Sequence, residues 1–126
     1  MDSQKAPRYG ALAERHARER YDLTAERSAW HDARTEDGEP VEIKAATVQR
    51  ATGRPGRFRT FREPHRRLAH ADGWYAFVAY RPHGAGISVE GMKMVRARTL
   101  RPRWRPSGHA TAGREEQHKI PISAVF

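Results

Sequence analysis

Glu42 and Lys44 stand two places apart in the stretch PVEIKAA, residues 40 to 46. In a β-strand, residues so spaced share a face. Val41, Ile43 and Ala45 then fill one side, and Glu42, Lys44 and Ala46 the other. A carboxylate beside an ammonium is either a solvated ion pair or half of a metal-dependent hydrolytic centre. Asp32 lies ten positions before Glu42, and TEDGE between them is a turn signal. A two-residue turn at Asp37-Gly38 would set Asp32 opposite Ile43, on the wrong face. A three-residue loop, Glu36-Asp37-Gly38 with the glycine left-handed, sets Asp32 directly opposite Glu42. Two carboxylates at that range repel unless a cation lies between them or one keeps its proton. Oxygen-only donors of this kind suit Mg²⁺, with Mn²⁺ as a substitute, completed by waters and a substrate phosphate. Lys44, one pleat beyond Glu42, is placed to orient or help deprotonate a water and to offset charge developing on a phosphate. The backbone carbonyl of Ile43 is a further candidate metal ligand.

These side chains need elements to hold them. From Pro7 to about Tyr21 the spacing predicts a helix, with Tyr9, Leu12, Ala13, His16, Ala17 and Tyr21 as its apolar stripe. Glu14 sits on the edge of that stripe. Residues 22 to 35 read as extended chain, 40 to 48 as a strand, and 50 to 59 as a basic loop. RTFREPHRRLAHADG reads as a short second helix ended by Gly73. WYAFVAYRP is the most apolar run and reads as a central strand. ISVEGMKMVRARTL reads as another strand, with or without a bend at Gly91. Residues 102 to 119 read as irregular, and IPISAVF as an edge strand or a tail folded back on the core. This order predicts an α/β (α+β) domain with a mixed β-sheet flanked by helices. At 126 residues it should form one domain, with a core at about 7 to 100 and a C-terminal extension over 101 to 126.

Charge points to a polyanion. The chain carries 24 Lys and Arg against 15 Asp and Glu, a formal net charge of +9, and only four of the cations are lysines. Arginine codon bias explains arginine over lysine but not the excess of base over acid. A nucleic acid is the partner such an excess fits best. Arg50, Arg54, Arg57 and Arg59 follow the Glu42 strand closely enough to act as a backbone clamp. Arg101, Arg103 and Arg105, interleaved with Trp104, form a second patch, where Trp104 could stack on a base or cap the core. His65 faces either the site and a phosphate or plain solvent. Each of these readings competes with a simpler one: solvated loops, a Glu14–Arg18 helix pair, a water-facing Glu42–Lys44 pair. The seven histidines show no zinc spacing, and with no cysteine no thiolate site or disulfide is expected. No apolar run of about 18 residues and no apolar leader point to a membrane, so a cytoplasmic location is the expectation.

Asp32, then Glu42-x-Lys44 after ten residues, with Glu14 on a preceding helix, resembles the PD-(D/E)XK nuclease superfamily. The nearest likeness is to small archaeal-type endonucleases, including Holliday-junction resolvases. It spans about residues 9 to 98. The one departure is His31 before Asp32, where the motif's name has proline. The resemblance implies a restriction-endonuclease-like fold and phosphodiester cleavage in DNA with Mg²⁺. Asp32, Glu42 and Glu14 would ligate the metal and Lys44 would assist the water. A homodimer is the expectation for the junction-resolving version. The alternative is a non-catalytic DNA-binding protein that keeps the fold.

Overall fold

The computed structural model describes residues 5–106 and 116–126. Part of the segment expected to be irregular, residues 107–115, lies outside the described residues. The elements in chain order are α1 (Lys5–Tyr21), β1 (Thr24–Ala25), β2 (Ala33–Arg34), β3 (Pro40–Thr47), β4 (Arg57–Phe61), α2 (Arg62–His70), β5 (Trp74–His83), β6 (Gly86–Arg96), a 3₁₀ turn (Ala97–Thr99), β7 (Gln117–Pro121) and a second 3₁₀ turn (Ile122–Ala124). Five strands form one sheet in the order β1-β2-β3-β5-β6. β3 and β5 run parallel, and every other pairing is antiparallel. β4 and β7 form a separate two-stranded ribbon.

β5 is apolar on both faces because both are covered. Ala76, Val78 and Tyr80 join Ala13 and Ala17 of α1, with Val41 and Ile43 of β3, in one core. Tyr75, Phe77 and Ala79 join Leu68 of α2 and Phe58 of β4 in the other. The period-two alternation of β3 therefore reads as expected, with Glu42 and Lys44 on the α2 side of the sheet. No helix among the described residues is long and apolar enough to cross a membrane.

Several expectations change. Residues 57 to 59 are not loop: Arg57 and Arg59 point out of β4 while Phe58 and Thr60 are buried. The tail folds back on the core, one of the two expectations, and the strand it contributes lies outside the main sheet. β7 pairs with β4, and Ile120 and Val125 are buried against Phe58 and Phe77. The bend near Gly91 is a bulge. Ala79 pairs with Gly91 and Tyr80 with Val89, which leaves Glu90 as the extra residue. His16 is exposed and leaves the α1 stripe.

Candidate active site

The turn after β2 decides the geometry. Thr35 N–H donates to Glu39 O at 2.9 Å, and Gly38 takes φ of +84°. That is the three-residue loop with its left-handed glycine. The register follows: Ala33 pairs with Val41 and Arg34 with Pro40. Asp32 sits just past this short ladder. Its N–H donates to Val41 O at 2.8 Å, and its Oδ2 accepts the Ile43 N–H at 2.9 Å. Beyond that point β2 no longer covers the edge of β3. Asp32 is thus held by two contacts to β3, on the same side as Glu42.

Glu42 is the most perturbed group of the site. Its carboxyl is pushed up to about 8, first by burial and then by its hydrogen bond with Asp32, and the neighbouring Lys44 charge only partly offsets this. Lys44 Nζ lies 3.6 Å from Glu42 Oε2, with both side chains about four-fifths covered. The ammonium also stands 5.4 Å from the centre of the Phe61 ring, a cation–π contact. A water-facing ion pair would show neither the burial nor the shift. Below that pKa Glu42 holds a proton against Asp32, in the position where a divalent cation could take the proton's place. Asp32 and Glu42 are hard oxygen donors and fit such an ion, which typically takes one or two protein carboxylates and keeps its waters.

Glu14 does not complete a third corner. It accepts from Arg27 Nη2 at 3.2 Å, and Arg27 Nη1 lies 3.6 Å from Asp32 Oδ1. A guanidinium therefore stands between the two acids that the resemblance makes co-ligands. Burial and the Asp32 charge raise the Glu14 carboxyl, and Arg27 and Arg18 counter them. Among the described residues no three acids or histidines come together as a ready-made metal cage. Ile43 buries its side chain towards α1 and gives its N–H to Asp32.

Tyr75 is paired with Glu42 across β3 and β5. Burial, and then the Glu42 charge, raises its hydroxyl. Its Oη lies 2.9 Å from His65 Nδ1. His65 is buried at 8% exposure, stacked on Tyr75 and packed against Trp104, and burial lowers its pKa. The structure therefore gives His65 a packing position beneath the site and not an open phosphate contact. Trp104 is half-buried over it.

Most of the basic residues singled out from the sequence line two adjoining cavities. Arg50, Arg57 and Arg59 line one of about 410 Å³, together with Lys119, beside the end of β3. Arg103 and Arg105 share the next, of about 460 Å³, again with Arg57 and Lys119. Arg54 lies in the exposed loop near Arg50, and Arg101 lines a third cavity with Arg62, Arg66 and Trp104. Arg27, Tyr75 and Lys119 were not legible as site residues. Arg27 sits in a stretch that reads as plain extended chain, Tyr75 in an apolar run, and Lys119 at the end of a segment with no clear pattern.

A family model described as "PD-(D/E)XK nuclease superfamily domain" matches residues 1–126. No curated protein and no solved structure matches the chain.

Proposed function

The chain belongs to the PD-(D/E)XK nuclease superfamily, and from that premise we propose that it is a divalent-metal-dependent endonuclease that hydrolyses phosphodiester bonds in DNA. The observation that carries this reading is the largely covered trio of Asp32, Glu42 and Lys44, in which Glu42 is pushed up to about 8 with Lys44 Nζ 3.6 Å away. When bound, a divalent cation supplies Lewis-acid charge at the scissile phosphate. Asp32 and Glu42 are the residues that would hold it. Lys44 hydrogen-bonds and orients the attacking water and offsets charge developing on the phosphoryl oxygens. Arg50, Arg54, Arg57 and Arg59 hold the DNA backbone beside the carboxylates, and Arg101, Arg103 and Arg105 extend that contact. Glu14 supports the centre through Arg27.

The test is cleavage of supercoiled DNA, linear DNA and a four-way junction by wild type, Glu42→Ala and Lys44→Ala, with Mg²⁺, Mn²⁺ or EDTA. Metal-dependent cutting that disappears in both variants while DNA binding survives supports the reading. A preference for the junction, from a protein that sediments as a homodimer, identifies the junction-resolving version. Wild type that binds DNA and cuts nothing with either metal leaves a non-catalytic DNA-binding protein instead.

A further inference from the structure

The outward face of the β4–β7 ribbon carries a charge arrangement that folding alone disfavours. Arg59 and Lys119 are direct cross-strand partners, and like charges so placed destabilise a ribbon. Arg57 stands two residues before Arg59 on the same face. Arg50 reaches the same cavity from the preceding loop, its Nε donating to Pro55 O at 2.9 Å. Among the described residues no carboxylate pairs with Arg50, Arg57, Arg59 or Lys119. The four cations disturb one another: Arg57, partial burial, and then Arg59 and Arg50 lower the Lys119 ammonium. The cavity is also sculpted. Gly56 is pressed against β3, where a Cβ would stand 1.7 Å from Thr47 O. Small residues, Gly10, Ala45 and Ala46, keep the remaining wall open.

Four converging cations ask for more negative charge than one phosphodiester brings. A diester carries a single charge, whereas a phosphate monoester carries about −1.5 to −2 near neutral pH. The position agrees. Ala46 is four residues beyond Glu42 on the same face of β3, about 13 Å along the strand. That is the axial span of about four phosphates on one strand of B-DNA. We propose that the cavity of Arg50, Arg57, Arg59 and Lys119 receives the terminal phosphate of a DNA strand, setting the cleavage centre a few nucleotides in from a strand end. This rests on the nuclease reading and adds the class of DNA it prefers.

The experiment is fluorescence anisotropy in EDTA with one internally labelled oligonucleotide in three forms: 5′-phosphate, 3′-phosphate, and hydroxyl at both ends. Wild type, Lys119→Gln and Arg59→Gln are compared, with a thermal melt of each. Wild type should bind one phosphorylated form at least about tenfold tighter than the hydroxyl form, as charge-assisted hydrogen bonds to an extra anionic oxygen allow. Whichever phosphate is favoured gives the polarity. Both variants should lose the preference while melting no lower than wild type, since each removes a repulsion. Equal binding of all three forms by wild type overturns the proposal. So does an undiminished preference in a well-folded Lys119→Gln. Wild type on closed circular DNA, which has no ends, judges the nuclease reading separately. Metal-dependent cutting of the circle or of any of the three oligonucleotides keeps that reading whatever the end preference, and cutting of none of them with Mg²⁺ or Mn²⁺ removes it even if the phosphate is bound.

Discussion

Glu42→Gln should make the protein more stable while destroying the centre proposed to cut DNA. The folded state favours protonated Glu42, with its carboxyl near 8 against a usual 4.5. Such a group leaves stability intact below about pH 4.5. Stability then falls as pH climbs from 4.5 through 8, because the unfolded chain releases the proton first, and it levels off above that. At 1.36 kcal/mol per pK unit the cost is about 3 kcal/mol at pH 7 and about 5 kcal/mol on the plateau. Glutamine keeps the shape and the hydrogen bond to Asp32 without the charge. For a domain of this size roughly 4 °C accompanies each kcal/mol, so the variant should melt about 10 °C above wild type at pH 7. The assay is a set of thermal melts in EDTA from pH 4.5 to 9. The two curves should converge at the acid end and part steadily to pH 8. At pH 8, Mg²⁺ at 100 times its Kd should raise wild type by about 2.7 kcal/mol and leave the variant unmoved. A gap between the curves that stays constant with pH, or a variant that melts lower at pH 8, would refute the reasoning.

Further outcomes follow from other contacts. Lys44→Met, with its ammonium 3.6 Å from Glu42 lost, should reduce metal-dependent cleavage by about 10²-fold or more while binding in EDTA changes less than about twofold; single-turnover rates and anisotropy separate the two. Arg50→Gln and Arg57→Gln should each lower the slope of log K against log salt by about 0.9, measured as a salt titration of duplex binding. Tyr75→Phe strips His65 Nδ1 of its 2.9 Å partner and should cost about 1–3 kcal/mol in a denaturant melt. Gly56→Ala places a methyl 1.7 Å from Thr47 O and should cost about 3 kcal/mol, with faster proteolysis near residue 50 as the second readout.

The geometry of the candidate centre was legible because its information is local. One glycine, Gly38, selects the loop length. That loop fixes the register that brings Asp32 to the Glu42 side, and period-two alternation fixes the face of Lys44. The β5 run was equally plain, since a strand covered on both sides has no polar face. The ribbon was not, although RFRTF does alternate base outward and bulk inward. Neighbouring glycines and a proline gave it the look of a loop, and its partner strand lies far along the chain. Arg27 escaped for a related reason. Its meaning depends on Glu14 and Asp32 meeting in space, and no spacing in the sequence encodes that meeting. The shift at Glu42 likewise comes first from burial and then from the hydrogen bond with Asp32, and strand alternation alone does not reveal how deeply that face is covered.

Thr60 donates to the carbonyl of His118, 58 positions away, and the whole β4–β7 pairing has this long reach. Contacts of that kind are slow to form, because chain entropy must be given up before they return anything. α1, β3, β5 and β6 can meet through nearer partners, whereas Phe58 and Phe77 wait for Ile120 and Val125. The cationic cavity therefore assembles at the end of folding, after the sheet that carries Glu42 and Lys44. A chain still being synthesised would hold the strand of Glu42 and Lys44 before the cavity of Arg59 and Lys119 was complete, and its maturation would be timed by the arrival of β7.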